Sequence, residues 1–230
     1  MREGSSPATR ERGIEAKGYR HGARAALPLG VAVGGFGVSF GVLARSAGFG
    51  WLAPIVMSAT TFAGSAQFAA VSIIRDAGSV AAAVTAALLL NARYGPIGVS
   101  VAPYLTGSSW SRLVRAQLVV DESWALASEG DGRFNSRVLI GAGVVLYASW
   151  VLGTAIGSIA GDALGDPSTL GLDAAFPALF LALLVPQLRG RAPIMAALFG
   201  AAIALALTPI TPAGIPIIAA SAACLLGLRR

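Results

Sequence analysis

The sequence has almost none of the residues from which soluble active sites are built. Of its 230 residues, one is cysteine and one is histidine, and only 12% are charged, against about 25% in typical soluble domains. The lone Cys224 excludes a disulfide within the chain and a thiolate metal cluster, and His21 lies in a basic segment away from any catalytic or metal-binding group. A Gly-x-x-x-x-Gly-Lys-Ser/Thr phosphate loop is also missing. We therefore expect a protein that is not an enzyme, that needs no cofactor or metal, and that does not hydrolyse ATP.

What the sequence does contain is apolar. Hydrophobic residues make up 55% of the chain, and the mean hydropathy is +0.72. The 29 glycines and 12 prolines are tolerated in membrane helices, where they often interrupt a helix. This composition predicts an all-α, polytopic membrane protein with about seven transmembrane helices, some of them broken. The predicted spans are 25–44, 51–74, 79–105, 138–160, 170–187, 192–208 and 213–228.

The chain divides into a basic tail and a membrane part. Residues 1–24 carry six basic residues with Gly, Ser and Pro between them, which predicts a disordered tail with an amphipathic end from about Ile14. Residues 25–230 are predicted to form a single transmembrane domain. Arginines in the connection 107–137, at 189–191 and at 229–230 indicate the cytoplasmic side, so we expect a cytoplasmic C-terminus in the plasma (inner) membrane.

The side of the membrane on which the N-terminal tail lies is harder to assign. Seven single crossings place the tail outside, against its basic residues, whereas an inside tail requires 79–105 to be a re-entrant hairpin. We favour seven crossings. A similarity between 41–68 and 153–180, about 112 residues apart, then favours an inverted repeat. Within the connection 107–137, the apolar spacing of 113–126 predicts an interfacial helix.

Two predicted spans contain polar residues that lipid would disfavour. Span two carries small and polar residues between Ser58 and Gln67, which indicates either a packing seam or a polar pocket. Span three is too long for a ~30 Å hydrocarbon core unless it is tilted or broken, and Pro96 supplies a break. An arginine in mid-span, Arg93, predicts a cavity or a counter-charge, and the alternative is a side chain that reaches the membrane interface.

Five segments together resemble a known family. They are Phe-Ala-Gly-Ser-Ala-Gln-Phe (62–68), Asn-Ala-Arg-Tyr-Gly-Pro (91–96), Asp-Glu-Ser-Trp (121–124), Ser-Trp-Val-Leu-Gly-Thr-Ala-Ile-Gly (149–157) and Gly-Leu-Asp-Ala-Ala-Phe-Pro-Ala-Leu-Phe (171–180). In this order, over about 25–228, they resemble the AzlC family, the large subunits of branched-chain amino acid exporters. The resemblance implies a small membrane subunit of the AzlD type as partner and the export of Leu, Ile, Val and often Met.

An exporter without an ATP-binding motif is expected to be a secondary transporter, most simply proton-coupled. A zwitterionic amino acid needs a cation for its carboxylate, and Arg93 is the candidate, assisted by backbone amides near Gly64 and Ser65. The predicted polar partners are Gln67, Asn91 and Asp173, and the predicted apolar slot is formed by Phe62, Phe68 and Phe180.

The candidate proton carriers are Asp173, Asp121 and Glu122, because a carboxylate in a low-dielectric site has a raised pKa. For Asp121 and Glu122 the alternative is a solvated helix face or a pairing with Arg112 and Arg115. The alternative function is a non-transporting membrane scaffold or assembly subunit, although a scaffold has little reason to bury Arg93 and Gln67.

Overall fold

The computed structural model describes residues 7–130, 132–164, 190–212 and 214–223, together with Leu181, Leu184, Val185 and Leu188. These residues are mainly α-helical, as predicted. The helices are α1 (Pro7–Ser46), α2 (Leu52–Thr61), α3 (Gly64–Arg75), α4 (Val80–Asn91), α5 (Tyr94–Val101), α6 (Ser109–Ala116), α7 (Asp121–Ala127), α8 (Ser136–Leu164), α9 (Arg191–Leu207) and α10 (Ile215–Ser221). A 3-10 turn, Ala102–Tyr104, follows α5, and two short antiparallel strands, β1 (Ser128–Gly130) and β2 (Arg133–Phe134), precede α8.

Only some of these helices are long and apolar enough to cross a membrane. Gly18–Ser46 of α1 and Ser136–Gly161 of α8 pass this test alone, and α4 with α5 and its 3-10 turn passes it as one interrupted segment. Helices α2 and α9 are apolar but shorter. The described part of the chain thus supports two or three spans, and the seven that the sequence predicts are not confirmed. Most of predicted span five lies outside the described residues.

Helix α1 begins earlier than the sequence predicts. It starts at Pro7, where a proline is tolerated because the first helical N–H has no partner in the helix, so residues 7–24 are helical in place of the predicted disordered tail. Tertiary packing supplies the reason: Gly18 and Gly22 face Arg137 and Val138 of α8. A pattern of charges and small residues in one segment does not reveal such a distant packing partner.

The described chain forms two compact units. The first comprises residues 1–37 and 93–153, and the second comprises 38–92 and 154–230. The predicted single transmembrane domain over 25–230 stays a prediction. The first unit has a core in which Phe134 and Leu139 pack with Val101 and Leu105, next to Trp124.

The second unit is built from the broken α2–α3 segment, α4 and the C-terminal helices. Helix α3 packs against α4 through Ile73, Ala83 and Ala86, and α4 and α9 each contact α10. The ends of α1 and α8, residues 38–46 and 154–164, also belong to this unit. Its interior is made largely of small residues, which lets helix backbones approach closely.

Glycines bring α1 and α8 together in both units. In the first unit, a Cβ on Gly22 would fall on the carbonyl of Val138, and one on Gly141 would fall on the carbonyl of Tyr19. The second unit repeats this reciprocal arrangement.

In the second unit, Gly41 faces the carbonyl of Thr154, and Gly157 faces the carbonyl of Val38. In all four cases the contacted carbonyl lies three residues before the glycine of its own helix. Such contacts allow Cα–H···O interactions and require the absence of a side chain.

Helices α1 and α8 run in the same direction. In the first unit, Gly18 faces Arg137 and Gly34 faces Ser149, and in the second unit, Gly41 faces Thr154 and Gly161 faces Arg45. Residue numbers therefore rise together along both helices. If both cross the bilayer, an odd number of crossings must separate them, whereas the predicted order places two single crossings between spans one and four and makes them antiparallel.

If both helices cross the bilayer, the parallel packing of α1 and α8 thus contradicts the predicted order of crossings and the inverted repeat inferred from it. Hydropathy gives the length of an apolar run but not its direction, and both runs between these helices are interrupted, after Thr61 and after Asn91.

The parallel arrangement also relates the position of the N-terminal tail to that of the connection 107–137. The start of α8 lies beside Gly18 and Gly22 of α1 in the first unit, so Arg20 and Arg24 lie at the same end of the helix pair as Arg133 and Arg137. If both helices cross the bilayer, the end of the tail and the connection 107–137 lie on the same side of it.

Cysteine labelling tests this arrangement. On a Cys224→Ala background, we expect His21→Cys and Ser128→Cys to react with a membrane-impermeant maleimide from one side, and Ser46→Cys from the other. All three residues are exposed: His21 and Ser46 lie near the two ends of the candidate span Gly18–Ser46, and Ser128 lies before α8. Labelling of intact and lysed cells is the measurement. Reaction of positions 21 and 128 from opposite sides would contradict a parallel crossing of α1 and α8.

Alanine substitution tests the glycine contacts. Gly157→Ala places a methyl group on the Val38 carbonyl, and we expect a loss of about 2 kcal/mol or more, since overpacking costs roughly 1–3 kcal/mol. Gly35→Ala is the matched control in α1, because nothing lies within 4 Å of its Cβ position, and there the helix propensity of alanine should stabilise by up to about 1 kcal/mol. Thermal unfolding in detergent measures both, and equal effects would contradict the contact.

Candidate functional site

The first candidate region is the break between α2 and α3 in the second unit. Helix α2 ends at Thr61, Phe62 adopts a left-handed conformation with φ of 42°, and α3 begins at Gly64. A left-handed phenylalanine is uncommon and strained, so the surrounding structure must hold it. The break lies where the sequence predicts helix-terminal amides, at Gly64 and Ser65.

A buried polar network spans this break. The Gln67 Nε2 donates to Ser58 Oγ at 2.9 Å, and the Ser58 and Thr154 hydroxyl oxygens are 2.9 Å apart. The backbone N–H of Ala63 donates to Gln67 Oε1 at 3.2 Å. Ser58, Gln67 and Thr154 are fully buried, so the network joins α2, α3 and α8 in a low-dielectric interior. Both ends of the Gln67 amide have protein partners, as in a packing seam.

Aromatic contacts surround the same break. Phe68 meets Phe40 of α1 edge to face, with ring centroids 5.5 Å apart, and both side chains are fully buried. Phe62 and Ser65 are also buried, and Gly64 is half-buried. The structure thus brings together five of the predicted substrate-binding residues, Phe62, Gly64, Ser65, Gln67 and Phe68. Their role in substrate binding stays a prediction.

The break between α4 and α5 follows from Pro96. A proline in a helix removes one hydrogen bond and clashes with the carbonyl four residues earlier, here Ala92, and α4 ends one residue before it. Asn91 is therefore the last residue of α4, in the second unit, and its Oδ1 is buried without a hydrogen-bond partner among the described residues. A buried amide oxygen left in this way is costly unless something binds it.

In the first unit, Arg93 forms an ion pair with Asp121. The Arg93 Nη2 and Asp121 Oδ2 are 3.0 Å apart, and their side chains are 35% and 28% exposed. The guanidinium also lies 5.3 Å from the centre of the Tyr94 ring. The structure thus joins the predicted substrate cation to a predicted proton carrier. The alternative pairing of Asp121 with Arg112 or Arg115 is wrong.

Two helices fix this ion pair. Arg93 immediately precedes α5, and Asp121 is the first residue of α7. The Trp124 Nε1 donates to Ser100 Oγ at 2.9 Å, which ties α7 to α5, and the buried Ser123 Oγ accepts from the backbone N–H of Val120 at 2.9 Å. The start of α7 is therefore held in place from both sides.

Glu122 stands beside this pair on α7, outside the candidate membrane spans. Burial raises the pKa of Glu122 above its usual value, and the negative charge of Asp121 adds to the increase, while a backbone hydrogen bond and Arg93 oppose it. A carboxyl group with a raised pKa exchanges protons nearer to neutral pH.

A cleft of about 520 Å³ lies between α5 and α6, also in the first unit. Its volume falls in the range of roughly 300–1,000 Å³ that is usual for small-molecule sites. The cleft is mostly apolar and is lined by Tyr94, Gly98, Val101, Ala102, Leu105, Ser109, Arg112, Leu113, Ala116 and Val119. Among the described residues, no group of three or more His, Cys, Asp or Glu side chains could hold a metal ion.

Some of these features escape sequence reasoning. Thr154 belongs to the Ser-Trp-x-x-Gly-Thr-x-x-Gly pattern of α8. This pattern of small and polar residues marks a helix face that contacts other helices, but it does not identify Ser58 as the partner of Thr154. Tyr94 directly follows Arg93, but nothing local marks it as a wall of the cleft. The predicted residues Asp173 and Phe180 lie outside the described residues.

Comparison with known proteins gives one consistent result. The AzlC protein family model matches residues 28–164. An uncharacterized membrane protein of Archaeoglobus fulgidus is 33% identical over 220 residues, which cover 89% of this chain and 91% of the relative. The branched-chain amino acid transport protein AzlC of Bacillus subtilis is 30% identical over 175 residues, 71% of this chain and 67% of the relative.

A third relative is the inner membrane protein YgaZ of Escherichia coli, 26% identical over 198 residues, which cover 80% of this chain and 79% of the relative. No solved structure matches the chain. The family model covers more than half of the sequence, including the α2–α3 break, Arg93, Asp121 and the glycine contacts of α8. The chain belongs to the AzlC family.

Proposed function

We propose that this protein is the large subunit of a secondary-active exporter of branched-chain amino acids, Leu, Ile and Val, with Met as a further substrate. It works with a small membrane subunit of the AzlD type and is coupled to protons. Family membership and the name of the Bacillus subtilis relative support a transport role. The name of the Escherichia coli relative supports the inner membrane as its location.

The observation that carries the proposal is the ion pair between Arg93 and Asp121. A zwitterionic amino acid presents one carboxylate and one ammonium group, which match a guanidinium and a carboxylate already held 3.0 Å apart. Binding then exchanges the internal pair for two pairs with the substrate. The partial exposure of both side chains leaves room for this exchange, which a fully buried pair would not.

The cleft between α5 and α6 supplies an apolar environment in the same unit. Tyr94 is part of its wall and also lies under the Arg93 guanidinium. Val101, Leu105 and Val119 in the wall favour branched aliphatic side chains over polar ones through apolar burial. We assign the substrate side chain to this cleft.

The coupling proton is assigned to Glu122. With its pKa raised by burial, Glu122 binds a proton more readily than an exposed glutamate does. Protonation removes one negative charge beside Asp121 and so changes how strongly the site holds an ammonium group. Proton entry and substrate release are linked in this way.

A non-transporting scaffold is the second candidate. The observation that favours it is the Ser58–Gln67–Thr154 network, in which buried polar groups bond with one another as they do in a purely structural core. In that case the partner subunit holds the pathway. The following experiment separates the two functions.

Efflux from cells loaded with valine-containing dipeptides tests the role of Arg93. We expect Arg93→Ala to reduce valine export about tenfold to a hundredfold, since a charge-assisted hydrogen bond contributes roughly 1.5–3 kcal/mol. The measurement is extracellular valine from cells that express both subunits. The matched control is Arg75→Gln, because Arg75 pairs with Asp76 in an exposed position.

The outcomes distinguish the proposals. Export by Arg93→Ala at the parent rate would refute the site but leave transport intact. If the unaltered pair of subunits exports no neutral amino acid, the transport function itself fails and the scaffold is favoured. Loss of export in Arg75→Gln would show that the assay reports protein folding rather than the site.

The pH dependence of stability tests Glu122. Because its pKa is higher in the folded than in the unfolded state, the folded protein binds more protons, and stability rises as pH falls from neutral toward the ordinary glutamate pKa. We expect Glu122→Gln to raise the Tm near neutral pH and to reduce its gain on acidification. The exposed Glu129→Gln is the control. Identical pH profiles of parent and Glu122→Gln would contradict the raised pKa.

A further inference from the structure

Helix α6 carries an apolar face that no described part of the protein covers. Trp110, Leu113 and Val114 follow the i, i+3, i+4 spacing of one helix face, and their side chains are 75%, 64% and 54% exposed. A large exposed tryptophan next to two exposed aliphatic residues is typical of an interaction surface. Amphipathic tryptophan rings are enriched at the level of lipid headgroups.

The other side of the same helix is basic. Arg112 and Arg115 lie opposite the apolar face, and the segment Ser109–Ala116 contains no acidic residue. The Arg112 side chain is exposed and forms no ion pair with a described residue. A short helix with one apolar face, one basic face and a tryptophan has the pattern of a helix that lies in a membrane interface.

The position of α6 is consistent with this pattern. The candidate span that contains α5 ends at Tyr104, and α6 begins at Ser109, so that only residues 105–108 separate them. Four residues reach at most about 14 Å, which keeps α6 close to the membrane surface.

Local hydrogen bonds fix the orientation of α6. The Ser108 Oγ accepts from the backbone N–H of Ser111 at 3.3 Å, and Arg115 Nη1 donates to the Thr106 carbonyl at 2.6 Å. The apolar face therefore has a defined direction relative to the end of α5. This is what a surface needs if it is to bind a bilayer in one orientation.

We propose that α6 binds anionic phospholipid of the surrounding bilayer, with Trp110, Leu113 and Val114 inserted below the headgroups and Arg112 and Arg115 bound to their phosphates. The inference does not depend on the transport function. An anionic surface is favoured over a zwitterionic one because each basic residue near such a surface increases binding about fivefold. Leu113 and Arg112 also form part of the cleft wall, so lipid bound at α6 lies next to the cleft.

Depth-dependent fluorescence quenching tests this proposal on the full chain. On a Cys224→Ala background, the environment-sensitive fluorophore NBD is attached to Val114→Cys on the apolar face or, as the control, to Ser111→Cys, which is half-buried at the edge of that face, about 100° around the helix from Trp110. The proteins are placed in vesicles of phosphatidylcholine, with or without phosphatidylglycerol, that contain a lipid-borne nitroxide quencher. We expect quenching at position 114 to exceed that at 111 at least threefold, and more so with phosphatidylglycerol.

The charge component is tested with Arg112→Gln, because Arg115 also holds the Thr106 carbonyl and its removal would misplace the helix. We expect Arg112→Gln to remove most of the dependence on phosphatidylglycerol while apolar insertion remains. Circular dichroism and gel filtration verify that the variant is folded.

Several results would overturn the proposal. Equal quenching at 111 and 114 would exclude insertion, and equal quenching at 114 in both lipids would exclude anionic recognition. Quenching that falls as the protein-to-lipid ratio rises would assign the face to a second copy of the chain. Loss of quenching when the small subunit is present would assign the apolar face of α6 to that partner.

Discussion

The close backbone contact between α1 and α8 is the constraint on which the second unit depends. The Thr154 carbonyl faces Gly41, and the Thr154 side chain is 2.9 Å from Ser58, which in turn accepts from Gln67. One residue of α8 therefore fixes α1 through its backbone and the broken α2–α3 segment through its hydroxyl. In lipid, freed backbone groups must find protein partners, and a helix break is stable only where such partners exist.

The Ser58–Gln67–Thr154 network and the Arg93–Asp121 ion pair differ in solvent exposure. The residues of the Ser58–Gln67–Thr154 network are fully buried and bond to one another, so an incoming ligand would have to break protein hydrogen bonds that nothing replaces. Arg93 and Asp121 keep about a third of their side chains exposed. Their attraction is weaker for that reason, and a charged solute can compete for it. This difference in exposure is why the proposed function has solute exchange at the ion pair, while a role of Gln67 in substrate binding stays a prediction.

The sequence predicts most local features because they have local causes. Pro96 ends α4 through its clash with the Ala92 carbonyl, which the local sequence alone predicts. The small residues around Gly64 predict a helix break, and the structure has one there. The direction of α8 and the partner of Arg93 have no such local cause. Asp121 is 28 residues away and meets Arg93 only because Trp124 and Ser100 join α7 to α5. The number of crossings is not confirmed, and an apolar run contains no information about whether the chain crosses the membrane or turns back within it.

The segments that carry the family resemblance now have physical explanations. Residues 62–68 contain the left-handed turn and the glutamine that spans it, 91–96 contain the proline break and Arg93, and 121–124 supply Asp121 together with the groups that hold it. Residues 149–157 contain Thr154 and Gly157, which meet α1. Each segment lies at a break or a contact that ordinary apolar helix residues could not form. A chain with the same hydropathy but without these four segments would keep its apolar helices and lose both the ion pair and the close contact of α1 with α8.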